Sequence, residues 1–249
     1  MILKIDDISK VKALFGDWQE TMIWSCLQEI MGDIYTDNAL HPASAMAVLG
    51  DFCFLAGEPK EELVLFLPKD FIIMIPQNYR WADIIEKCYG EHAKKVTRYA
   101  MKKEPDVFKE DKLQQAMVLP PEYSLKLIDE ALFYLCREQE WSRDFVSQYA
   151  DYEMYQRLGL GIVVLKNNEI IAGASSYSSY QNGIEIEIDT KKEYRRRGLA
   201  YACGAALILE CKKRSLYPSW DAQNLWSAAL AEKLGYHFDY EYCAYEISK

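Results

Sequence analysis

The sequence has no long apolar run, no closely paired cysteines and no excess of positive charge, and each absence excludes a class of protein. No stretch approaches the ~20 apolar residues that a helix needs to cross a bilayer. The N-terminal residues mix charged with apolar side chains, unlike a secretory signal. The seven cysteines contain no CxxC pair, which favours buried thiols in a reducing compartment. We therefore expect a cytoplasmic globular protein with no membrane partner.

Charge and histidine content narrow the classes of ligand. The 29 basic and 38 acidic residues give a net charge of −9, which disfavours general nucleic-acid binding. The histidines at positions 41, 92 and 237 are far apart and lack the spacing of a metal site. Neither a nucleic-acid partner nor a metal cofactor is therefore expected. The sequence predicts no oligomeric state.

A polar stretch divides the chain. Residues 102–115 carry few apolar side chains, and Pro120-Pro121 follows soon after, so we expect a domain boundary near residue 120. Residues 1–120 are predicted to form an α/β domain of uncertain role, and residues 121–249 a second domain. In the first, the patterns predict a helix within 10–34, one or two strands within 45–56, further strands at 63–67 (ended by Pro68) and 71–75, and a long helix over 81–101.

The second half has the pattern of a mixed α/β sheet. We expect a strand at 124–129, helical segments up to residue 158, and a hairpin of 162–165 and 169–177 about Asn167-Asn168. A strand at 183–190, a helix at 199–214, a strand at 217–222, a helix at 224–234 and a strand at 236–247 follow. Three strands precede the first glycine-bearing turn, so this is not a Rossmann unit.

The decisive segment is the turn after the strand GIEIEIDT. Five cations fall between Lys191 and Arg197, and a helix is predicted to begin at Gly198. Unpaired backbone N–H groups at a helix start favour anions, and a glycine lets a phosphate approach the backbone closely. The turn therefore predicts a site for a pyrophosphate with an additional phosphate. A solvated basic turn, or a nucleotide-binding module, is the alternative.

Two motifs in this order resemble the GNAT acetyltransferases. The first is Arg195-Arg196-Arg197-Gly198-Leu199-Ala200, which matches R/Q-x-x-G-x-G/A between a strand and a helix. The second is Asn224 opening the last helix, with Ser227 and a final Leu234-Gly235-Tyr236 turn. The resemblance covers about residues 122–249. A narrower resemblance is to a two-part subgroup that includes the zwittermicin A resistance acetyltransferase.

The resemblance implies a GNAT fold preceded by an additional α/β domain. It also implies an acetyl-CoA-dependent N-acetyltransferase that acts on a small primary amine, antibiotic-like or amino-sugar-like, by direct attack in a ternary complex. A peptide or protein N-acetyltransferase and a non-catalytic acyl-CoA-binding regulator are the alternatives. The residues implied to contact acyl-CoA are Ile188, Thr190, Arg195, Arg196, Arg197, Gly198, Leu199, Ala200, Asn224 and Ser227, with Tyr201 a further candidate.

Acetylation of an amine calls for a base, and the strand 183–190 offers one. Strict alternation places Glu185, Glu187 and Asp189 on one face, and we favour Glu187, then Asp189. The alternative is that these carboxylates form a solvated sheet face, and a bulge would change which of them points inward. Many GNAT relatives carry a Tyr seven residues after the helix-opening Asn, and this Tyr serves as the general acid that protonates the departing thiolate. This chain has Ala231 at that position. Ser227, Tyr236 and Tyr240 are the possible substitutes.

Overall fold

The computed structural model describes residues 2–66 and 69–248. In these residues the helices are α1 Lys12–Phe15, α2 Thr21–Leu27, α3 Glu61–Val64, α4 Tyr79–Tyr89, α5 Glu110–Ala116, α6 Glu130–Glu138, α7 Tyr152–Leu158, α8 Leu199–Lys213 and α9 Leu225–Leu234. The strands are β1 Leu3–Lys4, β2 Asp33–Thr36, β3 Ser44–Leu49, β4 Phe52–Gly57, β5 Phe71–Pro76, β6 Ala93–Met101, β7 Ser124–Leu127, β8 Gly161–Lys166, β9 Glu169–Tyr180, β10 Gly183–Thr190, β11 Tyr217–Ser219, β12 Asp221–Ala222 and β13 Phe238–Ser248. This is the mixed α/β class expected from the sequence.

The chain forms two compact units, and the divisions fall after Arg98 and after Tyr240. The described residues up to Arg98 and from Glu241 onward form the first unit, and Tyr99–Tyr240 form the second. Residues 99–120, assigned to the first domain by the sequence analysis, thus pack with the second unit. No helix in the described ranges is long and apolar enough to cross a membrane.

The first unit is built on a sheet whose strands follow one another from β1 to β5. β1 to β4 pair as antiparallel neighbours, β4 and β5 are parallel, and residues Tyr245–Ser248 of β13 pair with β5. The apolar residues of α4, including Trp81 and Ile85, are buried against this sheet. Of the one or two strands expected within 45–56 the structure has two, β3 and β4, joined at Gly50, whose φ is 57°.

Three predictions for the first unit need correction. The helix expected over 81–101 ends at Tyr89, because Gly90 adopts φ 51°, and residues from Ala93 form β6 instead. The strand expected at 63–67 is wrong where the structure describes it, since Glu61–Val64 form a helical turn. Positions 67 and 68 lie outside the described residues. The helical pattern in 10–34 divides into α1 and α2 and gives way to β2 at Asp33.

The second unit contains a five-stranded sheet in the order β11-β10-β9-β8-β7. Helix α8 packs along one face of it, and the short turns of Glu140–Phe145 lie against the other. The hairpin expected about Asn167-Asn168 is confirmed, and both residues have the positive φ angles, 51° and 65°, of a tight two-residue turn. The predicted strand 183–190 is confirmed residue for residue as β10.

The polar segment 102–115 is ordered in the second unit. Phe108 packs edge-on against Tyr236, with 4.8 Å between ring centroids, and Leu113 of α5 is buried in the same core as α8. Both side chains enter one cluster, and the Lys102 N–H donates to the His237 carbonyl at 2.9 Å. A low apolar density in the sequence therefore does not indicate a linker here.

Candidate active site

Strand β10 separates its side chains as the alternation predicts. Ile184 and Ile186 are buried in the core shared with α8, and Ile188 is half-buried against it. Glu185, Glu187 and Asp189 consequently lie on the opposite face. Glu185 is buried, whereas Glu187 and Asp189 are half-buried. The three predicted carboxylates therefore share a face but differ in their access to solvent.

A bulge in β9 adjusts the neighbours of these carboxylates. Glu185 pairs with Ser178 and Ile186 with Ser176, so Tyr177 is an extra residue in the partner strand. Beyond the bulge, Glu187 lies opposite Ser175, whose hydroxyl is 2.9 Å from the Tyr155 hydroxyl. The extra residue thus lies in β9, and the alternation of β10, which a bulge in that strand would have changed, is intact.

Strand β10 and its other neighbour separate after three pairs of residues. The parallel pairing of β10 with β11 joins Gly183–Glu185 to Tyr217–Ser219 and, in the described residues, extends no further. Trp220 then interrupts the strand, and β12 pairs with Tyr99 and Ala100 instead. The edge of β10 from Ile186 to Thr190 therefore faces an opening where a neighbouring strand would otherwise lie.

At the Ile188–Thr190 end of this edge lies a cavity of about 700 Å³. Its walls come from the end of β10, the turn before α8, the first turns of α8, and α9. The lining residues are Ile188, Asp189, Thr190, Tyr194, Arg195, Arg196, Gly198, Leu199, Ala200, Tyr201, Gln223, Asn224, Trp226, Ser227, Leu230 and Lys233. Nine of the ten residues that the resemblance assigns to acyl-CoA line it, and Arg197 is the exception.

The start of α8 exposes backbone donors to the cavity. Gly198 precedes the helix with φ 79°, and no side chain of the described residues caps it. The backbone N–H groups of the first helical residues, Leu199 and Ala200 among them, therefore have no intrahelical partner. A Cβ at Gly198 would meet no described atom within 4 Å, so open space lies beside this backbone.

The three arginines before Gly198 have different partners. Arg195 donates from Nε to the Thr190 carbonyl at 3.0 Å and from Nη2 to Asp189 at 3.2 Å. Arg197 points to the Tyr123 hydroxyl at 3.3 Å and lies over the Tyr194 ring. Arg196 lines the cavity and, among the described residues, has no ion pair. The Arg196 guanidinium can therefore bind an anion in the cavity.

The cavity fits an extended molecule with phosphates at one end. Helix N–H groups and Arg196 suit an anion, and the half-buried wall of Ile188 and Leu230 suits an apolar arm. The Oγ1 atom of Thr190 is buried in this wall and has no hydrogen-bond partner in the described residues. A ligand in the cavity would supply the partner that this hydroxyl lacks.

The model of the GNAT acetyltransferase family matches residues 12–245. The chain belongs to this family. The match begins near the N-terminus, so the likeness is not confined to residues 122–249. The chain is 29% identical to the Bacillus subtilis (strain 168) protein named "Uncharacterized N-acetyltransferase YdfB", over 95% of this chain and 94% of the relative.

Solved structures show the same likeness. A GCN5-related N-acetyltransferase-like protein from Streptococcus suis 89/1591 is 50% identical, with a TM-score of 0.93 over 96% of this chain and 98% of that one. A GCN5-related N-acetyltransferase from Sphaerobacter thermophilus shares 10% identity and a TM-score of 0.58 over 99% of this chain and 95% of its own, which shows the fold alone. This chain is therefore a GNAT-type N-acetyltransferase.

This chain has no tyrosine at the position where many GNAT relatives carry their general acid. Ala231 is fully buried in the core. Tyr236 is also buried, donates its hydroxyl to the Pro218 carbonyl at 2.6 Å, and has a pKa raised well above its usual range by burial. Tyr240 is not among the residues that line the cavity. Of the three substitutes considered, Ser227 is the one at the cavity.

The cysteines and histidines lie in surroundings that do not favour a role as nucleophile or metal ligand. Burial raises the pKa of the Cys211 thiol to about 12, and the pKa of Cys203 is also raised by burial. His237 is exposed and lies 2.7 Å from Glu104. No group of three or more His, Cys, Asp or Glu residues in the described ranges could hold a metal ion.

Several cavity residues were missed by the sequence analysis. Gln223, Trp226, Leu230 and Lys233 line the cavity from α9 and its approach. These residues are three or four positions apart, which places them on one face of a helix. Counting helical turns from the helix-opening Asn224 could therefore have identified Leu230. Trp220, which interrupts the strand beside the cavity, has no such signal.

Proposed function

We propose that this protein transfers an acetyl group from acetyl-CoA to the primary amine of a small molecule by direct attack in a ternary complex. The observation that carries the proposal is the separation of β10 from β11, because it opens a strand edge beside the uncapped start of α8. Bound there, acetyl-CoA would supply an activated acetyl thioester.

The proposed contacts divide between backbone and side chains. The N–H groups of Gly198, Leu199 and Ala200 and the guanidinium of Arg196 would hold phosphates, while Ile188 and Thr190 offer backbone and hydroxyl groups to the arm. Arg195 would act by holding the turn to the end of β10, and Arg197 by holding it to Tyr123.

Glu187 is the proposed base. A primary amine with a pKa near 10.4 is mostly protonated at neutral pH, which costs roughly 4–5 kcal/mol in nucleophile concentration. A positioned carboxylate that accepts the proton, directly or through water, offsets part of this cost. Glu187 is half-buried and lies opposite Ser175, beyond the β9 bulge. Asp189 is also half-buried, and it accepts from Arg195 and from the Thr190 N–H, so its carboxylate shapes the turn.

Direct attack is supported by the state of the thiols near the cavity. Cys203 in α8 is fully buried, and desolvation raises its pKa, so it is a poor nucleophile at neutral pH. We therefore expect no acetylated protein to accumulate when acetyl-CoA is added without an amine. Intact-protein mass spectrometry measures this, and a stoichiometric gain of one acetyl group would contradict direct attack.

A pair of variants at Gly198 tests the cavity. Asn and Asp both tolerate the left-handed backbone at this position, but Asp adds a negative charge where phosphates are proposed to bind. Calorimetric titration with acetyl-CoA and CoA should show micromolar binding to the native protein and at least about tenfold weaker binding to Gly198→Asp than to Gly198→Asn. Equal affinities of the two variants would refute the phosphate turn.

An amine screen then separates the alternatives. Native protein that binds acetyl-CoA is mixed with small amines, amino sugars and peptides, and thiol release is followed. Preference for a small amine supports the proposal, whereas turnover of peptides alone favours a peptide or protein N-acetyltransferase. Binding without turnover of any amine would favour the non-catalytic regulator, for which buried Ala231 is the supporting observation. We also propose that the chain belongs to the two-part subgroup that includes the zwittermicin A resistance acetyltransferase.

A further inference from the structure

The buried indole of Trp220 is hydrogen-bonded to the hydroxyl of Ser227. Trp220 follows β11 at the point where it separates from β10, and it is 4% exposed. Its Nε1 atom lies 3.1 Å from Ser227 Oγ in α9. The bond thus joins the residue at the point of strand separation to a residue of the cavity wall.

The chemistry of the two groups fixes the direction of this bond. An indole N–H can only donate, so the Ser227 oxygen must accept. The hydroxyl hydrogen of Ser227 is then available for another acceptor, and no described residue accepts it. Asn224 strengthens this placement, because its side chain accepts the Ser227 backbone N–H at 2.9 Å and fixes the first turn of α9.

The location of Ser227 sets which part of a ligand it would meet. Phosphates are proposed to lie at Gly198, next to the end of β10 at Thr190. Residues Ile186–Thr190 span about 16 Å at ~3.3 Å per residue, from the point of strand separation to that end. A molecule extended along this edge would have its distal end near Trp220, and therefore near Ser227.

We propose that Ser227 donates its hydroxyl hydrogen bond to the sulfur of the acyl donor and of the departing thiolate, and that Trp220 is a positioning residue for this hydroxyl. This inference rests on the proposed function. Acetyl transfer forms a C–N bond and breaks a C–S bond, while the amine nitrogen loses a proton and the sulfur gains one. Ser227 keeps its own proton and stabilises the developing negative charge on sulfur, and the thiolate is protonated from solvent.

The pair takes the place of a tyrosine that this chain lacks. Polarisation by the indole N–H strengthens the serine hydroxyl as a donor, since successive hydrogen bonds reinforce one another. The Tyr236 hydroxyl is committed to the Pro218 carbonyl, and Ala231 offers no polar atom. Ser227 is thus the hydroxyl of α9 that faces the cavity.

The pKa of the thiol of bound CoA tests the inference without an acceptor amine. CoA is held at saturation, and the ultraviolet absorbance of the thiolate is followed against pH for the native protein and for Ser227→Ala, Ser227→Thr and Trp220→Phe. Loss of a hydrogen bond to the thiolate should raise the bound thiol pKa by about 1–2 units in Ser227→Ala. Ser227→Thr keeps the hydroxyl and should retain the native value, and Trp220→Phe should give an intermediate one.

The controls separate this inference from folding and from the proposed function. Ser147→Ala removes a hydroxyl bonded to exposed Asp144 and should leave the thiol pKa unchanged. Calorimetry at a pH where the thiol is protonated should show that the native and Ser227→Ala proteins both bind CoA, so that both can be saturated. CoA binding with equal thiol pKa values in these two proteins would overturn the inference alone. Failure of the native protein to bind CoA would overturn the proposed function and the inference with it.

Discussion

The guanidinium of Arg195 lies 3.2 Å from the carboxylate of Asp189. The same carboxylate oxygen accepts the Thr190 backbone N–H at 2.7 Å, and Arg195 Nε donates to the Thr190 carbonyl at 3.0 Å. These contacts fold the basic turn back onto the end of β10. Asp189 is therefore engaged in shaping the turn.

Glu187→Gln and Asp189→Asn should consequently have different effects. We expect Glu187→Gln to lower kcat by about 10²–10⁴, because it removes the proposed base, and Asp189→Asn to lower it by less than about tenfold. The Asp189–Arg195 pair is partly exposed, so its loss should cost no more than about 1 kcal/mol of stability. Steady-state acetylation of the best amine from the screen measures both.

The pH profile provides the control for this comparison. Loss of a base should abolish the acidic limb of the kcat/KM profile in Glu187→Gln and leave it in Asp189→Asn. A larger loss in Asp189→Asn, with an unchanged limb in Glu187→Gln, would assign the base to Asp189 instead.

Thr190→Val should change stability and ligand affinity in opposite directions. The Thr190 hydroxyl is buried without a described partner, so its replacement by a methyl group removes an unsatisfied polar atom and should raise the free energy of unfolding by about 1 kcal/mol. If the hydroxyl serves the acyl donor, acetyl-CoA affinity falls about threefold to tenfold.

The matched control for Thr190 is Thr36→Val. The Thr36 hydroxyl is also buried, but it donates to the Ser44 carbonyl at 2.8 Å, so this variant should lose stability. Urea unfolding and calorimetry compare the two. A stability loss in Thr190→Val like that of Thr36→Val would show that the Thr190 hydroxyl is already satisfied in the free protein.

Local patterns predicted the second unit well. The strict alternation of β10 and the Asn-Asn turn of the preceding hairpin each carry their own signal, and both are confirmed. The helix expected over 81–101 had a weaker basis, since a glycine at position 90 ends α4 and β-branched Val96 and Thr97 follow in β6. The decision between helix and strand there depends on pairing with distant strands, which no local pattern records.

The candidate site was predictable as a turn but not as a cavity. The residues from Arg195 to Ala200 follow from their motif, whereas the separation of β10 from β11 depends on how Trp220 is buried. The sequence also does not show that the three arginines of the turn have different partners. Arg197 turns toward Tyr123, which is 74 positions away along the chain.

Acid should destabilise the first unit through Asp37. This carboxylate is largely buried, which by itself raises its pKa, but Lys60 and the backbone N–H groups of Ser44 and Ala43 outweigh burial and lower the pKa. A group with a lowered folded pKa stabilises fully above its unfolded value of about 3.9 and loses that contribution as pH falls through the folded value.

Asp37→Asn should therefore weaken the protein near neutral pH and flatten the acid dependence of its stability. Urea midpoints measured between about pH 6 and pH 3 cover the window that this lowered pKa defines. Asp83→Asn on the exposed side of α4 is the control and should keep the native slope. A native slope in Asp37→Asn would show that other groups control acid stability.

Arg196 and Arg197 provide a matched pair in adjacent positions. Arg196 lines the cavity without an ion pair among the described residues, whereas Arg197 bonds to the Tyr123 hydroxyl and the Glu193 carbonyl. We expect Arg196→Gln to weaken acetyl-CoA binding about tenfold or more, the value of one charge-assisted hydrogen bond to phosphate. Arg197→Gln should weaken it less than about threefold.

Salt dependence gives this comparison a second, independent readout. An ion pair with a ligand phosphate weakens as salt screens it, so Arg196→Gln should bind acetyl-CoA with a shallower dependence on ionic strength than the native protein. The backbone conformation is not a confounder, because Gln and Arg face the same strain at the φ of 63° found at position 196. Calorimetric titrations at low and high salt measure both effects. A greater loss of affinity and of salt dependence in Arg197→Gln would show that the turn rearranges to present Arg197 to the phosphates.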